Sequence, residues 1–382
     1  MKKFLFGIFV LAALAGCTSS DIRKPQADIK TVWECAGELP AQKGYEKNIG
    51  TAGILYGLLE ERYIVTGGGA NFPHKSVLEG GAKQMYSDLW LIDTKSENKI
   101  IEHINLPVEI GYGASVTTEK GIYYIGGSSN QQADDDILFL TLDENKNLKY
   151  EKIGELPFTF QSGAAVEYNG KLYIVGGKQN GTPSNKVYEY NLTNKVIKEL
   201  PSVPAGRGRT QSVAQILNDS LYVFSGGDTT AYTDGYKYNF ETGKWEEISP
   251  VRVNGKEISL LGAASVKLNK KEMLVIGGFN KEIYDDAVKK LGTLRGQELL
   301  KFKASYFGAD PDDFRWNRDI LIYNSETNSW RSIGEIPFNA PCGEGLVIVK
   351  NKIYSINGEI KPGVRTPRIY QGEFIKNENR NF

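Results

Sequence analysis

Glu359 and Arg365 stand six residues apart in the run Gly358-Glu359-Ile360-Lys361-Pro362-Gly363-Val364-Arg365. Pro362-Gly363 lies between them and turns the chain back, because proline presets φ and glycine accepts the tight return. A carboxylate at such a turn can remove a hydroxyl proton directly or through water, assistance that typically contributes about 10²–10⁴-fold. A guanidinium beside it offers a planar fork that grips a carboxylate through two hydrogen bonds, which lysine cannot copy. Lys361 would raise the local positive potential. His74 and His103 are the only imidazoles in the chain, so Glu359 is the better base. The same pair also reads as a salt bridge that fixes a loop.

What must position this segment is a repeat. Five strands end in Gly-Gly, at Gly67-Gly68, Gly126-Gly127, Gly176-Gly177, Gly226-Gly227 and Gly277-Gly278, and a sixth ends in Asn357-Gly358, directly before Glu359. A second marker recurs in phase: Leu39-Pro40, Leu106-Pro107, Leu156-Pro157, Leu200-Pro201, Ser249-Pro250 and Ile336-Pro337. Apolar runs bounded by glycine, without helical period, read as buried strands. Each unit reads as four strands: a small-residue strand such as Gly163-Ala164-Ala165-Val166, the Gly-Gly strand, a Tyr-rich strand such as Val187-Tyr188-Glu189-Tyr190, and a last strand before the proline. The pattern resembles kelch repeats, and it predicts an all-β fold, a six-bladed β-propeller over residues 31–376. Two stacked β-sandwiches would show no regular period of about fifty residues.

After Pro337 only three strands remain, near Glu344–Val349, Lys352–Gly358 and Arg368–Phe374. The fourth strand of the last blade is therefore expected from Thr31–Ala36, which would close the ring and remove exposed sheet edges. That register puts Cys35 on the outermost strand and Cys342 at the start of the innermost, roughly 14 Å apart. A disulfide needs Cα atoms within about 7 Å, so free thiols are expected.

The 46 basic and 46 acidic residues cancel, leaving no general field for nucleic acid or another polyanion. At the N-terminus, Lys2 and Lys3 precede an apolar stretch from Phe4 to Ala13, followed by Leu14-Ala15-Gly16-Cys17. The stretch is too short to span a bilayer as a stable helix. It resembles a bacterial lipoprotein signal, which implies processing at residues 1–17, a lipid on Cys17 as the membrane anchor, a tether over 18–30, and an exported protein in the periplasm or at the outer membrane. Residues 377–382 read as a polar tail.

In an antiparallel blade, the loops between the second and third strands share a face with the loops that join blades. The long insertions fall on that face: Gly69–Met85, and residues 279–317 with helical period in Ala287-Val288, Leu291, Leu294, Leu299-Leu300 and Phe302. The second insertion reads either as a cap over the central channel or as an excursion packed on its own blade. Loops that vary over a rigid scaffold collect binding groups, so the channel mouth is the expected site. Further binding candidates there are Asn71, His74, Lys75, Gln161, Arg207, Arg209, Gln211 and Glu344, although kelch inner strands also use Arg and Glu to bridge blades.

The stretch Asn357-Gly358-Glu359-Ile360-Lys361-Pro362-Gly363-Val364-Arg365-Thr366 resembles the signature of the N-acetylneuraminate epimerases, the sialic acid mutarotases. The resemblance extends to Gly277-Gly278-Phe279-Asn280, through Tyr306-Phe307 to Trp316-Asn317, and to Gly67-Gly68-Gly69 through Gly80-Gly81 to Tyr86-Ser87-Asp88. In the family's better-known members the Gly-Glu-x-Lys-Pro-Gly segment is mid-chain, so this sequence looks like a cyclically permuted mutarotase. The resemblance implies a sialic acid substrate, with Glu359 and Arg365 as catalytic residues and Lys361 as a binding residue; the sequence shows no nucleotide loop and no metal cluster, so no cofactor is expected. Other enzymes fit less well: the Ser-x-Asp-x-Gly-x-Thr-Trp turn of sialidases is missing, and two histidines are too few for a copper oxidase. The remaining rival is a non-enzymatic kelch lipoprotein that binds protein or glycan at the cell surface.

Overall fold

A computed structural model describes residues 29–376. Cys17 and the signal segment, most of the tether and the polar tail lie outside the described residues. The tether was expected to run to residue 30, but strand structure already begins at Ile29.

The Gly-Gly strands form because their side chains are apolar on both faces. Tyr63–Gly67 is buried at every residue, and so is Ile122–Ser128. Each such strand is second in an antiparallel sheet of four main strands, and the described residues form six of these sheets. Sheet one is Leu55–Leu59, Tyr63–Gly67, Gln84–Asp93 and Lys99–Ile110. Sheets two to five follow in chain order, opening with Ala114–Thr117, Ala164–Tyr168, Val213–Leu217 and Ala264–Lys267. Sheet six opens with Gly345–Val349 and continues through Lys352–Ile356 and Arg368–Lys376. Its outermost strand is Ile29–Glu38, which pairs antiparallel to Arg368–Lys376 with Cys35 opposite Tyr370. The first strand of every sheet packs against the first strands of two other sheets. The architecture is a β-propeller, with apolar clusters filling the seams, such as Leu55, Val65 and Leu89 against Ile122, Tyr124 and Leu140. The residue before the marker proline is an anchor in these seams: Leu39, Leu106, Leu156, Leu200 and Ile336 are all buried.

Six residues just ahead of the first strands are linked by backbone hydrogen bonds. The N–H of Tyr112 donates to Gly53 at 2.7 Å, Ser162 to Tyr112 and Gln211 to Ser162 at 2.6 Å, and Gly262 to Gln211 at 3.2 Å. Gly343 donates to Gly262 at 2.8 Å, and Gly53 donates to Gly343 at 2.7 Å, so the series returns to its start. All six adopt left-handed φ between 51° and 82°. Around this axis runs a channel of about 1150 Å³ lined by the first strands.

Asn357 explains how the sixth repeat differs. It has φ 57°, close to the 60° of Gly126 and Gly176, and asparagine is among the few side chains that tolerate this region. Gly358 follows at φ 103°, matching Gly127 at 101°. The turn geometry is therefore retained, and what changes is the side chain that comes next, Glu359.

The insertion folds as two helices, α1 (Lys281–Thr293) and α2 (Gly296–Gly308), and a 3₁₀ turn at Pro311–Phe314. Asn280 caps α1 by accepting the Ile283 N–H at 3.2 Å. Asp285 on α1 accepts from Thr230 Oγ1 and the Ala231 N–H, both at 2.7 Å, while Tyr284 donates to the Asp228 carbonyl at 2.8 Å. At the other end, the Lys361 ammonium donates to the Ala309 carbonyl at 2.6 Å. The insertion thus fits neither expectation alone: it is bonded to loops of the sheets on both sides of its own.

Candidate functional site

Glu359–Lys361 and Val364–Arg365 form a two-stranded hairpin in which Glu359 is directly opposite Arg365. Side chains at opposed positions of an antiparallel pair share a face about 5 Å apart, and here Arg365 Nη2 lies 3.2 Å from Glu359 Oε1. The Gly363 N–H donates to the same oxygen at 2.7 Å. The ion pair and the hydrogen bond both fall on Oε1, which leaves Oε2 free of them. The hairpin is tied to the fold on two sides: Cys342 and Glu359 exchange backbone hydrogen bonds at 2.8 Å, and the Gly358 N–H donates to Thr51 O at 2.9 Å.

Arg365 is 8 % exposed, and its guanidinium lies over the Phe72 ring, 4.8 Å from the centroid. Among the described residues, its Nε and Nη1 are buried without an acceptor. Leaving a buried charged donor unmatched costs about 1–3 kcal/mol or more, so two such nitrogens on one side chain leave the guanidinium with unmet hydrogen-bonding capacity. Tyr306 of α2 completes the surroundings: burial, and then the charge of Glu359, push its phenol up to about 12. Phe72 and Tyr306 were not singled out as site residues from the sequence. Both lie in the long insertions, and an aromatic in each insertion was the available signal.

Glu344 is 3 % exposed, lines the channel and, among the described residues, has no hydrogen-bond partner for either carboxylate oxygen. Burial pushes its carboxyl well above the usual range, with the nearby backbone amides of Glu344 and Ala264 acting the other way. Gln211 also lines the channel, in the circle of left-handed residues. Glu359 and Arg365 are not among the residues that line it, but Glu359 is joined by paired backbone hydrogen bonds to Cys342, the residue before Gly343 and Glu344.

Several candidates have structural employment instead. Arg209 is fully buried, with Nη1 on Asp234 Oδ1 at 3.0 Å and on the Ser225 carbonyl at 2.7 Å, and Nη2 on Asp234 Oδ2 at 3.1 Å. That is an internal brace, not a ligand contact. Asn71 is also buried and spent: its amide donates to Gly50 O at 2.7 Å, and its carbonyl accepts from Tyr86 at 2.6 Å. Lys361 was expected to serve the substrate, but its ammonium holds the end of α2 at Ala309. Arg207 pairs with Asp234 at 3.2 Å and stacks 3.7 Å from the Tyr232 centroid, with its far side exposed. His74 and Lys75 are exposed. The parts of their loop that meet the hairpin are Phe72, under Arg365, and Val77, beside Gly363. Gln161 pairs with Lys178 through the backbone, and its neighbour Ser162 is the residue that lines the channel. Cys35 is exposed and Cys342 buried, and both are free thiols.

The fold and hairpin together define a kelch-type β-propeller that carries a carboxylate–guanidinium pair beside its axis. Residues 58–278 match a KLHDC2/KLHL20/DRC7 Kelch-repeats domain, and residues 180–381 match the N-acetylneuraminate epimerase family, to which this chain belongs. The chain is 32 % identical over 227 residues to the N-acetylneuraminate epimerase of Salmonella typhi, covering 57 % of each chain. It is 32 % identical over 247 residues to that of Yersinia enterocolitica, covering 61 % of each. It thus spans less than two thirds of the length of these relatives. A solved structure titled "Structure of YjhT" superposes with a TM-score of 0.52 at 24 % identity, covering 60 % of this chain and 69 % of that one, and bears on the fold alone.

Proposed function

We propose that this protein is a mutarotase that interconverts the α and β anomers of N-acetylneuraminate or a related sialic acid. The observation that carries the proposal is Arg365, whose Nε and Nη1 are buried without acceptors while Phe72 fixes its plane beside Glu359. The named activity of the family relatives supports the substrate class.

Arg365 receives the C1 carboxylate of the sugar, which sets the anomeric C2 hydroxyl against Glu359. Oε2 removes that proton as the C2–O6 bond opens, the keto group rotates, and the ring recloses with the proton returned. Oε1 stays with Gly363 and Arg365, so the base keeps its orientation through the cycle. The chemistry is acid–base and needs no cofactor.

The six sheets are read as six blades of a closed ring, with Ile29–Glu38 completing the last; the circular series of hydrogen bonds from Gly53 to Gly343 supports this. The chain is read as a circular permutant of the family and as an exported lipoprotein anchored through Cys17, a reading that rests on the basic, apolar and small-residue pattern of residues 1–17.

The test is NMR of freshly released α-N-acetylneuraminate with and without protein. Acceleration by the wild type and its loss by about 10²-fold or more in Glu359→Gln are expected. An unchanged α-to-β rate with wild-type protein would sink the assignment for that sugar, and undiminished sugar binding by an inactive wild type would favour a binding lipoprotein.

A further inference from the structure

We infer that Glu344 is the second proton-carrying group of this site, a neutral carboxylic acid that donates to the ring oxygen of the sugar while Glu359 works on the anomeric hydroxyl. The inference rests on the proposed activity and adds a residue to it.

Glu344 follows Gly343, a member of the circle of left-handed residues, and precedes the innermost strand Gly345–Val349. Two turns close over it. A Cβ on Gly358 would come 2.9 Å from Glu344 Cβ, and a Cβ on Gly277 would come 3.3 Å from Glu344 Oε1. Gly358 is the residue that delivers Glu359, so the two glutamates are neighbours through one glycine. Cys342 sits between them, its thiol pushed up by burial, then by Glu344, and further by Glu359.

The carboxyl has no basic partner to hold it as an anion. The titratable groups facing it are the Tyr56 hydroxyl from the first strand of sheet one and the Cys342 thiol, both pushed up and therefore protonated at neutral pH, and the backbone amides of Glu344 and Ala264 offset its burial only in part. Lys267 and Lys352 lie at the far ends of their strands, paired with Met273 and Val349. An unpaired buried carboxylate is strongly disfavoured, and the group resolves this by keeping its proton. A carboxylic acid kept neutral near a second, ionised carboxylate is the arrangement in which one acts as acid and the other as base.

The step balances with these two residues alone. Glu359 takes the proton of the anomeric hydroxyl, and that oxygen's electron pair forms the C2 carbonyl. The C2–O6 bond breaks with its pair going to O6, which takes the proton of Glu344. After rotation about C2–C3, O6 attacks the other face of the carbonyl, returns its proton to Glu344, and the carbonyl oxygen recovers the proton held by Glu359. Both residues end as they began.

Glu344→Gln tests this, because glutamine keeps shape, neutrality and a hydrogen-bond donor but has no proton to give. The expected result is a fall in kcat of about 10²-fold or more, with KM within about threefold and no loss of melting temperature at pH 7. A kcat within about threefold of wild type would overturn the inference, since that is what a merely structural neutral carboxyl predicts. Infrared difference spectra of wild type minus Glu344→Gln at pH 7 give a readout independent of turnover. A protonated carboxylic acid band is expected, and N-acetylneuraminate should shift it. A carboxylate signal in its place, or a band indifferent to the sugar, overturns the inference even if the wild type proves inactive and the activity proposal falls separately.

Discussion

Arg365 is specified by two neighbours and by its burial: Phe72 fixes its plane, Glu359 holds Nη2, and burial removes competing water from Nε and Nη1. Arg365→Lys keeps the charge but loses both the stacking and the fork. Its kcat/KM for sialic acid is expected to fall about 10–10²-fold, as for loss of a charge-assisted bidentate pair, while the fold persists by circular dichroism. Glu344 gives a residue-scale prediction about stability. Its folded pKa is raised by burial, so above the ordinary carboxyl range the unfolded chain releases a proton that the folded chain retains. Stability from this group is fully present at low pH and lost as pH rises through the unfolded value toward the folded one. Glu344→Gln is therefore expected to melt higher than wild type at pH 7, with the difference vanishing near pH 4. A difference of equal size at both pH values would contradict this.

At the scale of elements, the insertion and the hairpin are mutually dependent. Lys361 caps the end of α2 through Ala309, while Asp285 and Tyr284 bind α1 to the loop at Asp228–Ala231. Asp285→Ala leaves the Ala231 N–H without its acceptor, a loss of about 1–3 kcal/mol concentrated in the insertion. Faster limited proteolysis between α1 and α2, around Leu294–Arg295, is the expected outcome, with the rest of the chain uncut. The sequence made these elements unequally legible. The strands, their order and the partly helical character of 279–317 follow from apolar runs, glycine pairs and period. The fate of polar side chains does not. Arg209 and Asn71 carried the right chemistry for a ligand, but their partners Asp234, Tyr86 and Gly50 are brought to them only by the folded sheets. Phe72 was missed for the same reason, since a residue in the insertion of the first sheet meets Arg365 only because the first and sixth sheets are adjacent in space.

At the scale of the whole molecule, Ile29–Glu38 covers the edge of Arg368–Lys376 along nearly its full length. Trp33 packs on Phe338 at 5.3 Å, and Phe338 stacks on Tyr370 at 3.7 Å, so the strand is also fastened by aromatics. Deleting residues 29–38 would open a long unpaired edge, and self-association by size-exclusion chromatography together with a lowered melting temperature is expected. A monomer with wild-type melting would contradict the importance of this pairing.

The circle of backbone hydrogen bonds from Gly53 round to Gly343 has an electrostatic side. Each N–H is answered by the carbonyl of the preceding member, so none of these six amides is left over for an anion. Helix termini attract anions because their amides are left unanswered; this circle has no such end. The backbone at the opening is accordingly mute toward an approaching carboxylate. The sign of the charge that the opening welcomes is then decided by side chains, and a few substitutions there could re-specify it without touching the architecture.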